Sequence, residues 1–348
     1  MINLLSVGKN QLRFYCDPAV IRQLDARYQE AAEVLGAIRR SSSEFVLPTD
    51  DLLLLARHPL AQGLLAYQKG HIKSERAEKI AHEISQLNQS SLDSLVEGRQ
   101  QVLQLQCLLP DAETRGEVIR VINDFKYDQA RLDDSLKALI DVLGDDYRRF
   151  IGIVKTISFV QVSRMCELPY FSGADTDSWG AMHITDPADD FVLVETLTHE
   201  AAHHWLFTVE EITPMAKNPW SGSKWISPWR SDPRPIGGIV HGVFVFSCAA
   251  TVLHSLLMHK TADINHSAKL LVAKRICRLI AQVDAGLDEM QLCSEITAAG
   301  ASLASEAIER IRSLETSVDA TLLGEAREQC EKEQNRKRAR YSCDVTAS

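Results

Sequence analysis

The pentapeptide HEAAH, from His199 to His203, limits the fold of this 348-residue chain more than any other feature. On an α-helix, residues four positions apart differ by about 40° around the axis, so both imidazoles leave the same face one turn apart. Both rings then reach one divalent cation, and Glu200 lies near a water on that cation. The spacing predicts a metal-binding helix; a chance match on an ordinary buried helix is the alternative.

The residues around the pentapeptide also predict a helix that is largely buried. Apolar residues dominate both sides of it, at 191–194 and 205–207. Asp186 is the expected N-cap, Pro187 suits the first helical position, and Asp189 and Asp190 suit the positive end of the helix dipole.

Composition narrows the class of protein. A net charge of −9 argues against a general nucleic-acid binder. We predict no membrane span, because we find no run that is long and apolar enough, and no secretory signal in the first 17 residues. Eight cysteines without a CxxC pair indicate reduced thiols in a cytoplasmic protein rather than a disulfide or thiolate-metal framework.

The hydrophobic pattern predicts a predominantly helical α+β fold. Residues 1–147 form a helical N-terminal region, which includes an apolar helical stretch at 52–65 and a long amphipathic one at 74–108. A small β-sheet from segments 150–162 and 179–185 lies beside the metal helix. The edge of that sheet would suit an extended peptide. Region 148–335 carries the catalytic site and ends in further helices, and a basic tail at 336–348 is expected to be disordered.

A third ligand is needed for a working metal site, and His241 is the favoured candidate. Gly237 and Gly238 permit a sharp entry into an apolar helix that carries His241 in its first turn. A buried structural histidine is the alternative at this position.

Other residues near the pentapeptide are weaker candidates for the third ligand. Glu195 lies on the ligand face but too far along the axis. His183 lies on the strand before the helix, and His204, about 100° away from the ligand face, is expected to be structural. Glu210 would lie about 10 Å further along the axis than His203, too far for a shared cation.

Arginines in the loop between the two helices predict a carboxylate site. The loop from 214 to 238 is rich in proline, tryptophan, serine and glycine, so it is expected to be ordered. Arg230 and Arg234 offer the planar, bidentate grip that a carboxylate requires. Salt bridges to the excess acidic residues are the other interpretation of these two arginines.

Three segments together resemble a known family: the metal helix, the stretch Ser227 to Pro235 (SPWRSDPRP), and the stretch His241 to Phe246 (HGVFVF). They resemble the HExxH-type peptide-modification family, whose members look like 2-oxoglutarate-dependent peptide β-hydroxylases. The likeness covers about residues 178 to 250. No radical-SAM cysteine cluster accompanies it, so this chain would be a standalone member.

The resemblance implies iron(II) and 2-oxoglutarate as cofactors and a ribosomally made precursor peptide as substrate. His199, His203 and His241 would bind the iron, Arg234 (with Arg230 as second choice) and Ser227 would bind 2-oxoglutarate, and Glu200 would orient the substrate or the ligands. The sequence does not fix the oligomeric state.

Two further hypotheses remain open. The same two histidines suit a zinc peptidase that trims a leader or small peptide, with Glu200 as general base. The third hypothesis is a helical peptide-binding protein with a purely structural, four-ligand metal.

Overall fold

The chain folds into a predominantly helical α+β structure with one small mixed sheet, as predicted. The computed structural model describes residues 17–41, 47–97, 99–103, 105, 108, 119–121, 129–162, 172–185, 190–222, 224–230, 232–259 and 266–346. The predicted N-cap Asp186, Pro187 and Asp189 lie outside the described residues.

Two compact units make up the chain. The first, here the sheet unit, comprises residues 18–140 and 147–208; the second, here the helical unit, comprises residues 209–346 with 141–146 and residue 17. The predicted boundary between residues 147 and 148 does not coincide with this division. The reason is that a strand from the N-terminal half pairs with a strand of the predicted catalytic region, so the two segments share one core.

The sheet unit contains helices and the strands of the described residues. Its helices, of which the last three cross a boundary of the unit, are α1 Pro18–Ser41, α2 Leu52–Ala56, α3 Pro59–Gln68, α4 Ser74–Ser85, α5 Gln89–Glu97, α6 Gln129–Leu143, α7 Asp145–Ile151 and α8 Asp190–Ile212. Its strands are β1 Gln101–Val102, β2 Ile119–Val121, β3 Thr156–Val162, β4 Ser172–Ala174 and β5 Ala181–Ile184.

Strand β3 organises the sheet. It pairs in parallel with β1 and β5, and β5 pairs antiparallel with the edge strand β4, which gives the order β1-β3-β5-β4. Strand β2 pairs antiparallel with the end of β3. All four residues of β5 are buried, and the chain passes from β5 into α8. The sheet therefore stands directly before the predicted metal helix, as the sequence indicates.

Several predicted helices are shorter than expected. The apolar stretch 52–65 divides at His58, which caps α3 by accepting a hydrogen bond from the Leu60 amide at 3.2 Å. The amphipathic stretch 74–108 divides into α4, α5 and β1. Pro59 explains why the stretch 52–65 divides, because proline lacks the amide hydrogen that a continuous helix needs at that point.

The helical unit consists of α9 Ile236–His259, α10 His266–Gln291, α11 Ala298–Glu315 and α12 Ala320–Thr346. Helix α9 differs from the prediction that no segment is apolar enough to span a membrane. By length and composition it could cross a membrane, and it is the single such helix among the described residues. Within the fold, 89% of its most apolar 18-residue segment is buried. That burial is typical of the core helix of a globular protein.

The basic segment at 336–340 is also different from the prediction. It belongs to α12, which continues to Thr346, rather than to a disordered tail. Apolar and small residues on one face of α12, among them Leu323 and Cys330, are buried in the helical unit. This packing extends the helix through a segment whose charge alone predicts solvation.

A buried carboxylate lies between α9 and α11. Glu306 is 8% exposed, and its Oε1 atom has no hydrogen-bond partner among the described residues. One turn later, Arg310 donates to the Ser247 hydroxyl at 2.8 Å. Burial raises the pKa of Glu306 to about 8, although the nearby Arg310 opposes the shift. The side chain is therefore largely protonated at neutral pH.

Glu306 should make the stability of the helical unit fall as pH rises. Its folded pKa lies above the ordinary value of 4.5, so the folded state holds the proton more tightly and loses this advantage between pH 4.5 and about 8. We expect Glu306→Gln to stabilise the protein by roughly 3 kcal/mol more at pH 8.5 than at pH 5.5. Thermal unfolding at the two pH values measures the difference. Glu325→Gln, at an exposed position on α12, is the control and should show no such pH dependence.

Candidate metal site and arginine loop

Helix α8 is fixed in the sheet unit by three side-chain hydrogen bonds. Thr198 and Tyr147 share a hydrogen bond of 3.2 Å between their hydroxyl groups, and the Trp205 indole donates to the Phe150 carbonyl at 2.8 Å. The His204 Nε2 atom lies 3.0 Å from the Ala181 carbonyl of β5. At 100° per residue, all three anchors lie about 120° or more from the midpoint of His199 and His203. They orient the histidine pair away from the sheet.

His204 serves this anchoring and not metal binding, in agreement with the sequence prediction. Burial lowers the pKa of His204 to about 4, so the ring is neutral at pH 7 and its Nε2–H donates to Ala181. The ring also packs against Trp179, with 5.7 Å between ring centroids. His183 on β5 is likewise buried, and burial lowers its pKa to about 4.

From residue 193 to residue 208, one stripe of α8 remains partly exposed while its other faces are buried. Positions 195, 199, 203 and 207 repeat every four residues and are all intermediate in burial. The stripe therefore carries Glu195, both histidines of the pentapeptide and Phe207. His203 stacks on Phe207, with 5.9 Å between ring centroids and 21° between ring planes. The face that carries the candidate ligands is the face that solvent and a cation can reach.

His199 and His203 point their Nε2 atoms at each other across 3.1 Å. If a cation lay about 2.1 Å from each nitrogen, the nitrogen–metal–nitrogen angle would be about 95°. That angle lies between the octahedral and tetrahedral values. The same two atoms form a hydrogen bond when one ring carries the hydrogen on Nε2. The pair thus has the spacing of two ligands on one cation, and neutral imidazoles suit zinc, iron(II) and similar metals.

Glu200 is close to this pair, although its position on the helix is 100° from that of His199. The residue is 1% exposed, and its Oε1 atom lies 4.0 Å from the Nε2 atom of His199. The carboxylate is therefore near the atom that would bind the metal, at a distance that suits a group acting on a bound water or substrate rather than a ligand.

His241 lies in the first turns of α9, in the helical unit, and is 3% exposed. Its Nε2 atom is 2.9 Å from the Oε2 atom of Glu210, and the Trp220 ring packs over it at 5.4 Å between centroids. Glu210 is not a predicted metal ligand, and no spacing in the sequence predicts its contact with His241. With Nε2–H donated to the carboxylate, the other ring nitrogen, Nδ1, carries the lone pair, which is a common arrangement for metal-binding histidines.

The segment Trp225–Arg234, here the arginine loop, is closed by its own backbone. The Trp225 amide donates to the Arg234 carbonyl at 3.0 Å, and the Arg234 amide donates to the Trp225 carbonyl at 2.8 Å. Inside the loop, the Ser227 hydroxyl accepts from the amides of Trp229 and Arg230 at 3.3 and 3.1 Å. The loop is therefore ordered, as its composition predicts.

The predicted cosubstrate residues have different surroundings within this loop. Ser227 is 3% exposed and its hydroxyl stabilises the turn. Arg230 is exposed. The Arg234 side chain is 36% exposed and its Nε atom lies 3.2 Å from Asp232. Both the carboxylate-binding and the salt-bridge interpretation of Arg234 therefore have a physical basis.

Trp229 fixes the loop against two helices of the helical unit. A Cβ atom at Gly242 would lie 2.4 Å from the Trp229 ring, and one at Gly286 would lie 2.6 Å from it. The ring also stacks on Phe246, with 5.1 Å between centroids and 12° between planes. Glycine at 242, the residue after His241, is therefore required by the close approach of an indole.

The structure brings together some of the predicted site residues. His199, His203 and Glu200 lie together in the sheet unit, while His241, Ser227, Arg230 and Arg234 belong to the helical unit. Among the described residues, no group of three or more His, Cys, Asp or Glu side chains is arranged around one point. The two-histidine pair is thus the candidate metal site with defined geometry, and metal binding and the role of His241 as third ligand stay predictions.

Loss of either histidine of the pair should weaken metal binding. We expect His199→Ala and His203→Ala each to lower the affinity for Zn²⁺ or Fe²⁺ by more than the 10–100-fold typical of outer-shell substitutions. Anaerobic calorimetric titration of the metal-free protein measures this. His82→Ala, at an exposed position in the last turn of α4, is the control and should bind as the parent does. Equal affinity in all four proteins would exclude a metal site at the pair.

Comparison with known proteins adds no family to this geometry: no protein-family model matches the chain, and no curated protein matches it significantly.

Proposed function

We propose that the protein is an iron(II)/2-oxoglutarate-dependent β-hydroxylase acting on side chains of a ribosomally made peptide. The observation that carries the metal-dependent part is the 3.1 Å separation of the Nε2 atoms of His199 and His203. The resemblance of the metal helix, the arginine loop and the His241 segment to HExxH-type peptide hydroxylases carries the choice of reaction.

In this proposal, His199 and His203 hold the iron and His241 is the third ligand. Iron(II) held by these residues would supply oxygen activation, with 2-oxoglutarate as cosubstrate. Glu210, 2.9 Å from the Nε2 atom of His241, would fix the tautomer and orientation of that ring. Glu200 would orient the peptide or the bound water from its position 4.0 Å from His199.

The carboxylate of 2-oxoglutarate that does not bind the metal needs a cation. Arg234 is the first candidate, because its backbone is fixed by two hydrogen bonds to Trp225 and its side chain is about one-third exposed. Arg230 is the second candidate, and the Ser227 hydroxyl orders the turn that leads to it. A planar guanidinium forms two parallel hydrogen bonds with a carboxylate, which gives both affinity and orientation.

A zinc peptidase is the second candidate function. The buried Glu200 carboxylate, 4.0 Å from a ligand nitrogen, favours it, because a general base must lie within reach of a metal-bound water. Exchange of the metal for zinc and loss of nearly all turnover in Glu200→Gln would identify this case. A hydroxylase would keep 2-oxoglutarate turnover in the same variant.

The site of action in this proposal is the cytoplasm, where precursor peptides are made. The mostly buried α9 and the buried, unpaired thiols of Cys248 and Cys277 support it. Precursor peptide is the partner, and neither nucleic acid nor membrane is part of the proposal.

Anaerobic reconstitution with Fe²⁺ and 2-oxoglutarate, followed by oxygen, tests the reaction. We expect succinate at a low rate without peptide, and faster succinate formation with a one-oxygen mass gain when a peptide encoded beside the gene is added. His199→Ala and His241→Ala should abolish both products. The hydroxylase proposal fails if the iron-loaded protein neither binds 2-oxoglutarate in calorimetry nor forms succinate above an iron-only blank.

Arg234→Ala should raise the concentration of 2-oxoglutarate needed for turnover. Losing one partner of a charged hydrogen-bonded pair costs about 2–5 kcal/mol, which corresponds to about thirtyfold or more in affinity. The dependence of the succinate rate on 2-oxoglutarate concentration measures the effect. Arg336→Ala, which removes the same charge from an exposed position on α12, is the control. Unchanged dependence in Arg234→Ala would transfer the role to Arg230 or reject it.

A further inference from the structure

Three consecutive residues of the arginine loop are held by side chains from two helices of the helical unit. The Ile226 amide donates to Glu289 Oε2 at 3.2 Å. The Ser227 carbonyl accepts from the Lys337 ammonium at 2.7 Å, and the Pro228 carbonyl accepts from the Gln282 amide at 3.1 Å. Helix α10 supplies Glu289 and Gln282, and α12 supplies Lys337. A loop without regular structure thereby has its backbone polar groups satisfied at its first buried turn.

The basic end of α12 also completes the Glu289 contact. Arg338 donates to Glu289 Oε1 at 2.6 Å, and Glu289 is 4% exposed. Burying a carboxylate is costly unless it accepts hydrogen bonds and lies beside an opposite charge. Arg338 provides the charge while the Ile226 amide provides a hydrogen bond on the other oxygen. Removing Arg338 would therefore weaken the hold on Ile226 without touching the loop itself.

The loop transmits this fixed position to the start of α9. Two residues after Ser227, the Trp229 ring fills the space that the absent side chains of Gly242 and Gly286 leave open. Gly242 directly follows His241 in α9. The position of the loop backbone and the packing beside His241 are thus joined through one rigid indole.

The geometry points to the basic end of α12 as a positioning element: Lys337 and Arg338 order the first turn of the arginine loop. This ordering does not depend on the proposed function. Its consequence for binding rests on the proposed function, in which the ordered loop presents Arg230 and Arg234 to the carboxylate of the cosubstrate. The segment that charge alone predicts as a solvated tail is a structural part of the candidate site.

Neighbouring residues on α12 provide matched controls. Arg336 and Arg340 belong to the same basic cluster, and both are exposed, whereas Lys337 is half-buried and in contact with the loop. A general effect of lowering positive charge on α12 would be the same at all four positions. A positioning effect would be confined to Lys337 and Arg338.

Hydrogen–deuterium exchange on the full-length protein tests the ordering. We expect Lys337→Met and Arg338→Met to speed exchange at the amides of Ile226, Trp229 and Arg230 by at least tenfold. Exchange in α8 residues 190–208 should stay as in the parent. Arg336→Met and Arg340→Met should leave the loop unchanged. Equal loop exchange in parent and Lys337→Met, or equal acceleration in the controls, would overturn the proposal.

A conservative variant separates positioning from simple loss of stability. Lys337→Arg keeps a cation with a similar reach to the Ser227 carbonyl, so it should restore most of the loop protection that Lys337→Met loses. In the succinate assay, Lys337→Met should raise the half-saturating 2-oxoglutarate concentration at least fivefold with a smaller change in maximal rate. If the parent protein forms no succinate, the proposed function fails, and the exchange data still decide whether α12 orders the loop.

Discussion

The candidate site depends on how α8 is held against the sheet. A helix with apolar residues on nearly every side has no preferred rotation from hydrophobic burial alone, because each face gains similar free energy in the core. The polar anchors break this degeneracy: the imidazole of His204 meets the Ala181 carbonyl, and the indole of Trp205 meets the Phe150 carbonyl. Each unmade bond would leave a buried polar group unsatisfied, at a cost of about 1–3 kcal/mol, so the rotation that exposes His199 and His203 is selected strongly.

Sequence reasoning predicted the parts of this arrangement that depend on local periodicity. The four-residue spacing of His199 and His203 sets their common face wherever the helix forms, and the structural role of His204 follows from its 100° offset. The anchors were beyond such reasoning, since Tyr147 and Phe150 are about fifty residues from their partners on α8. Pairing across such distances depends on the tertiary fold, and no spacing rule connects the two segments.

The same limit explains the errors in the N-terminal half and at the C-terminus. Strand β1 has two residues and owes its conformation to pairing with β3. The amphipathic pattern of the surrounding residues therefore predicts a helix where this strand lies. At the other end, charge predicted a solvated tail, whereas the long aliphatic stem of Lys337 reaches the Ser227 carbonyl. The distance along α8 predicts that Glu210 is not a metal ligand. Its contact with His241, 31 residues away, depends on the tertiary fold of the helical unit, so no spacing in the sequence predicts it.

The arginine loop shows why an aperiodic segment can still be a precise part of a site. Its ends are tied by the Trp225–Arg234 hydrogen bonds, its first turn is held by α10 and α12, and its indole occupies a space that only glycine at 242 and 286 leaves open. Most of the entropy cost of ordering the loop is therefore met during folding rather than during binding. An anionic ligand that meets Arg230 or Arg234 then orders a single side chain instead of a whole loop. In the proposed hydroxylase, this difference would lower the entropy cost of binding the dicarboxylate cosubstrate.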